Sequence, residues 1–198
     1  MLYAKIKKYL SKNNINVEEV NNYFEIKDLS DSNGAFIDYW DDDKIGIIEP
    51  TQEQLNSIDE NLILLQEAIQ NKLQQLDTYH FNSDEIRQMT INEYFILSLS
   101  SEGRNLIAEQ MQSLDQQIKL NVITEESAIF EYFYNGGSIE ITLVQLRQLY
   151  IFMLNVVNTN YGVYKAHIHA IKNLSTIEEV EAYDFTANYL KNQNLNIE

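Results

Sequence analysis

Apolar residues recur at steps of three and four along most of this chain and alternate at steps of two only in short runs. Leu2, Ile6, Tyr9 and Leu10 share one face of an expected helix over about 2–12. Val17-Glu-Glu-Val20 reads as a further helical turn. Three strand-like runs follow, Tyr23 to Lys27, Ala35 to Trp40 and Lys44 to Ile48, with Ser32-Asn33-Gly34 and Asp41-Asp42-Asp43 as the turns between them. Pro50-Thr51 marks a boundary. Thr51 and Gln54 have the spacing of a capping box, in which each side chain takes up a backbone N–H at the helix start. Leu55, Ile58, Leu62, Leu65, Ile69, Leu73 and Leu76 then lay a single stripe along an expected helix over 51–77. Ile63 and Leu64 widen that stripe, which points to burial against other protein.

Residues 79–120 read as two more helices, separated near Ser100-Ser101-Glu102-Gly103, with Ile107, Met111, Leu114 and Ile118 as the stripe of the second. Alternation returns at Ile129 to Tyr134 and Ser138 to Ile141, around Asn135-Gly136-Gly137, which predicts a β-hairpin within 127–141. Two registers fit. A turn centred on Asn135-Gly136 sets Glu131 opposite Glu140, a like-charge pair costing some tenths of a kcal/mol. A turn centred on Gly136-Gly137 sets Glu140 opposite Phe133, avoids that pair, and is the one the charges favour. Both registers keep Phe130, Tyr132, Ile139 and Ile141 on one face. Thr142 and Gln145 form a second capping box, launching a helix to about Lys172 with the stripe Leu143, Leu146, Tyr150, Met153, Val157, Tyr161, Tyr164, Ile168 and Ile171. The four-residue steps from Met153 to Val157 to Tyr161 fit a straight helix better than a long supercoil. Ser175 and Glu178 cap a short helix over about 176–182, and the Asn-rich tail after Asp184 is expected to fray.

These elements predict a helix-dominated α+β fold. It comprises a small N-terminal α/β segment (1–50), a connecting helix (51–77) and a C-terminal helical domain with one β-hairpin (78–198).

Composition narrows the function classes. The 198 residues are 44% hydrophobic, enough for a core. No apolar run approaches the ~20 residues of a membrane helix. The start, MLYAKIKKYLSKNN, is basic but lacks the apolar stretch and small-residue cleavage site of a signal peptide. Without cysteine there is no disulfide, thiol nucleophile or thiolate metal site. A soluble protein made in the cytoplasm is therefore expected. The formal charge is −16. Lys5, Lys7, Lys8 and Lys12 all precede the first acid, Glu18, which leaves ten bases against thirty acids, or −20, over residues 18–198. Such a body repels phosphate backbones, so no nucleic-acid partner is expected. The charge serves solubility, or else mimics nucleic acid toward a host defence or nucleic-acid-binding protein.

Residues able to do chemistry are sparse. The six glycines form no phosphate-binding loop, and neither Gly-x-Ser-x-Gly nor His-Glu-x-x-His occurs. The histidines are His80, His167 and His169. The last two lie on an expected helix, where positions two apart point about 200° away from each other and do not share one metal. Both fall off the apolar stripe and read as surface residues. Asp31-Ser32-Asn33-Gly34 hints at a calcium loop, but aligning Gly34 to its sixth position puts Leu29 first and Trp40 twelfth, where carboxylates are needed. Asp41-Asp42-Asp43 reads as a solvated turn. Phe130, Tyr132, Phe133 and Tyr134 read as core. No catalytic, cofactor-binding or metal-binding residue is nominated, and no cofactor is expected.

Four phrases and a middle helix, in order, carry a resemblance: "W…PTQEQL", "LLQEAIQNKLQQLDTYHF", the helix, "NGGSIEITLVQL" and "IHAIKNLSTIEEVEAYDF". Over most of residues 60–185 this order resembles an uncharacterised domain family of bacteriophage and prophage proteins, a domain of unknown function encoded among tail and tail-fibre genes. The lead-in is also similar to phage tail-associated proteins. The resemblance lends no functional residues. It implies a non-catalytic role in virion assembly, as a tail component or tail-fibre assembly factor. The implied partners are other phage tail or assembly proteins, or further copies of the chain, in the cytoplasm of a bacterial host or in the virion.

Overall fold

The computed structural model describes residues 1–28, 34–93, 95–134 and 137–197, and all but the side chain of Tyr134 among them. The chain divides into two compact units, residues 1–70 with 175–177, and residues 71–174 with 178–197. Among the described residues helices outweigh strands, and the sheets have two or three strands each.

In the first unit, α1 (Leu2–Lys12) buries Ile6 and Leu10, and α2 (Val17–Val20) buries Val17 and Val20. Asn16 caps α2 by accepting from the Glu18 N–H at 3.2 Å. Strands β1 (Phe24–Asp28) and β2 (Ala35–Trp40) pair antiparallel, with Phe24 opposite Trp40 and a bulge between Glu25 and Ile26. Residues 29–33, on which the expected Ser32-Asn33-Gly34 turn largely falls, lie outside the described residues. The strand expected over Lys44–Ile48 does not form. Asp41 accepts from the Lys44 N–H at 3.1 Å and starts a short helix, α3 (Asp42–Ile45). Gly46, at φ 86°, closes it in the left-handed region. The aspartate run is thus a cap rather than a bare turn. Ile6, Leu10, Val17, Val20, Phe24, Ile45 and Leu55 form the core of this unit.

The helix expected over 51–77 is two helices. Thr51 and Gln54 make both bonds of the capping box, but they start only α4 (Gln52–Asn56). Ser57 then turns its hydroxyl onto the Gln54 carbonyl at 2.7 Å, and Asp59 accepts from the Asn61 N–H at 2.9 Å. That second cap begins α5 (Glu60–Asn82). The apolar stripe ran through the break because Leu55, Ile58 and Leu62 keep helical spacing across it.

The second unit departs most from expectation at 84–98. Instead of a helix it holds one turn, α6 (Asp84–Arg87), followed by β3 (Gln88–Ile91) and β4 (Phe95–Ser98). Met89, Ile91, Phe95 and Leu97 are buried while Gln88, Thr90, Ile96 and Ser98 are not, a period of two that marks a half-buried hairpin. The tail does not fray. It forms β7 (Gln193–Leu195), which pairs parallel with β3 to give the sheet order β4-β3-β7. The C-terminal unit therefore carries this sheet in addition to the expected hairpin.

That hairpin, β5 (Ile129–Tyr134) with β6 (Gly137–Thr142), adopts the register the charges disfavoured, with Glu131 opposite Glu140. Glu131 accepts from the Ser138 hydroxyl at 2.7 Å, and both glutamates are exposed, so solvent screens the repulsion. Phe130, Tyr132 and Ile139 pack on the core as expected, whereas Phe133 is 70% exposed. Helices α7 (Ser101–Lys119) and α8 (Leu143–Lys172) flank this core, α7 with its expected stripe and α8 launched by its capping box. A short α9 (Ile177–Ala182) follows.

The buried seam of α8 is Leu143, Leu146, Leu149, Met153, Val156, Asn160, Tyr164, His167 and Ile171. It differs from the predicted stripe by one position at four places and includes two polar side chains. Gly162 lies on the exposed side, with nothing within 4 Å of the place a Cβ would occupy. Gly162→Ala is accordingly expected to stabilise the protein by about 0.5–1 kcal/mol. Urea denaturation would show it as a raised midpoint, and a lowered one would mean that α8 needs the glycine.

Candidate functional site

His167 and His169 part company on α8. His169 is exposed, beside Asn173. His167, expected at the surface, is buried at 5% exposure. Its Nε2 lies 3.0 Å from the Ala187 carbonyl, which can only accept, so Nε2 carries the proton. That leaves Nδ1 to accept from the Tyr183 hydroxyl at 2.7 Å. Four residues earlier than Tyr164, Asn160 donates to the Leu190 carbonyl at 3.0 Å and accepts from the Leu190 N–H at 2.8 Å. These polar side chains hold the tail on α8. Hydrophobic periodicity could not place them, because it scores both as outward.

His80 is different. It is also 5% exposed, near the end of α5, stacked on Tyr164 with centroids 4.3 Å apart and edge-on to Phe81. Tyr164 donates to Asp77 at 2.7 Å, and burial first, then this bond, raise its phenol to about 12. No such bond serves His80, whose Nδ1 has no hydrogen-bond partner although it is shielded from solvent. Burial and then the charge of Arg87 hold its imidazole below the ordinary histidine range, against a smaller opposing pull from Asp77.

Around His80 lies a pocket of about 230 Å³, bordered by Phe81, Arg87, Ser101, Arg104, Asn158 and Tyr161, with Ile86, Val157 and Asn160 behind them. The protein has three arginines, and two of them are here. The third, Arg147, is committed to Asp115 at 2.7 Å and Glu125 at 3.0 Å. Arg104 donates one bond to the Leu99 carbonyl. Arg87 has no ion pair among the described residues. Lys165 adds a third cation 5.1 Å from the Tyr161 ring centre. In so acidic a chain the pocket is a local concentration of positive charge.

In the first unit, a shallower groove of about 440 Å³ is lined by Leu2, Phe36, Ile37, Glu49, Pro50, Thr51, Gln52 and Leu55. Phe36, Tyr39 and Ile48 in this unit are 40%, 47% and 66% exposed. The Asp41 carboxylate accepts from the Lys44 N–H and the Tyr39 hydroxyl. Among the described residues no three His, Asp or Glu side chains are grouped to hold a metal ion, and no helix is long and apolar enough to cross a membrane.

No family model, curated protein or solved structure matches this chain.

The neutral His80 supplies a pH prediction. An unfolded histidine titrates near 6.5; folded His80 titrates lower. Its full contribution to stability is therefore present above about pH 6.5 and is lost as the pH falls below that value and through the lower folded one. Thermal melts of wild type and His80→Phe at pH 7.5 and 5.5 should show the variant gaining on wild type at the lower pH. A gap that ignores pH would contradict the assignment.

Proposed function

We propose that this chain is a non-catalytic phage or prophage protein, a tail-associated component or tail-fibre assembly factor, that works by binding other proteins. The setting comes from the family resemblance over residues 60–185. The observation that carries the binding role is the exposed aromatic surface of the first unit, where Phe36 and Tyr39 project from a two-stranded sheet whose outer edges are unpaired among the described residues. Apolar side chains beside open strand edges are a frequent protein-docking arrangement. Tail components copurify with particles, and assembly factors leave defective tails when deleted. Mass spectrometry of purified virions, paired with electron microscopy of a deletion strain, tests both. Absence from the particle together with normal tails in the deletion strain defeats the proposal.

A second reading is an acidic inhibitor that imitates nucleic acid. It is favoured by one observation: every described Asp and Glu except Asp41 and Asp115 is exposed. Pull-down from host lysate would then recover a nuclease or nucleic-acid-binding protein that salt releases.

A further inference from the structure

We propose that the pocket at His80, Arg87 and Arg104 is a binding site for a phosphate group carried on a small molecule. This goes beyond the protein-binding role and does not depend on it.

The argument begins with the cost of leaving these groups as they are. A guanidinium presents five N–H donors in a rigid fork suited to oxyanions. Arg87 spends none of them on an ion pair among the described residues, in a chain with thirty acids to choose from. Arg104 spends one on the Leu99 carbonyl and keeps the rest. The two side chains reach the pocket from different elements, Arg87 at the end of α6 and Arg104 in the first turn of α7. Ser101, Asn158, Tyr161 and His80 add further hydrogen-bonding groups from α7, α8 and α5.

The geometry favours phosphate over carboxylate. Donor-bearing side chains line the pocket from four helices, an arrangement that suits a tetrahedral anion, whereas a carboxylate accepts in one plane. Two guanidiniums also match a dianion. The start of α7 adds nothing here. Glu102 already fills it, its carboxylate held low by its own backbone N–H and by the Ser100 and Ser101 hydroxyls, with a smaller contribution from Arg87. The charge therefore rests on the arginines. A volume of about 230 Å³ falls below the ~300–1,000 Å³ of drug-sized sites, so the ligand is small. Phe81 and Tyr161, about half exposed at the rim, can cover a short apolar arm.

Isothermal titration calorimetry on the intact chain tests this, with ionic strength held constant by chloride. The probes are inorganic phosphate, phenyl phosphate and malonate. Wild type should bind both phosphates one to one, phenyl phosphate more tightly, and malonate more weakly. Arg87→Gln should weaken phosphate binding by roughly tenfold or more. Asn158→Asp, a change at an exposed rim position that leaves the fold intact, should weaken it as well by repulsion. Lys119→Gln, which removes a charge at the far end of α7, should change nothing. The proposal is overturned if wild type shows no saturable binding. It is equally overturned if Arg87→Gln behaves like Lys119→Gln, or if malonate binds as tightly as phosphate.

Discussion

Gly103→Ala is expected to destabilise the second unit by about 3 kcal/mol. Gly103 is the third residue of α7, and its N–H donates to the Ser100 hydroxyl at 3.2 Å. A Cβ at this position would stand 2.2 Å from the Ser98 carbonyl oxygen and 3.0 Å from its carbon. Those atoms belong to the backbone of β4 and cannot rotate away. Relief requires the start of α7 to move off the strand, and the chain next to both ends of the contact is buried, with Leu99 following Ser98 and Ile107 one turn after Gly103, both essentially fully buried. The helix propensity gained, about 1 kcal/mol, is too small to offset that movement. Chemical denaturation should show the drop. Comparison with Gly162→Ala is the sharper check, because the same substitution in α7 and in α8 should change stability in opposite directions. A stabilised Gly103→Ala would mean that α7 and β4 do not approach this closely.

Asn160→Leu is expected to cost about 2–4 kcal/mol and to free the tail. The replacement is close in volume, so packing is largely kept and the loss is polar. At 2% exposure, Asn160 satisfies both the N–H and the C=O of Leu190 and reaches the Ile86 carbonyl at 3.5 Å. Leucine would leave the Leu190 groups without a partner in a largely buried place. Beyond it, Asn192 N–H bonds to the Glu85 carbonyl and Asn92 brackets Leu195 and Ile197, so the pin at Asn160 precedes a run of contacts that depend on it. Hydrogen exchange should show lost protection over 189–197 while the β5–β6 hairpin stays protected. Unchanged exchange in the tail would refute the role given to Asn160.

The sequence made the helix starts legible where a side chain caps them. Thr51 and Thr142 each announced a helix because capping depends on residues three apart, whereas α9 starts at Ile177, one residue later than the Ser175 spacing implied. Stripes of α1 and α7 were legible for the same local reason. Helix ends and interruptions were less so, since the apolar spacing from Leu55 to Leu62 is unchanged whether or not the helix breaks at Ser57. The β3–β4 hairpin was missed because four-residue strands carry too few alternations to outweigh the helical spacing around them. Its partner β7 reads Gln-Asn-Leu, and its placement depends on a strand about a hundred residues earlier. The buried Asn160 and His167 were passed over because their partners lie in that same tail. Of the pocket, the sequence shows His80 only as one of three histidines, and nothing in the spacing of Arg87 and Arg104 marks them. Seventeen residues separate them, and only the turn from α6 through the hairpin into α7 brings them together.

The pairing of β3 with β7 has a consequence for biosynthesis. Thr90 and Asn194 are 104 positions apart, so a chain emerging from the ribosome must hold the β3 edge open until residues past Asn194 have been released. Nascent chains stalled within that interval would display an unpaired strand flanked by buried-type side chains, which invites pairing with another molecule. Chaperone engagement should therefore persist until β7 has emerged and collapse once it pairs with β3.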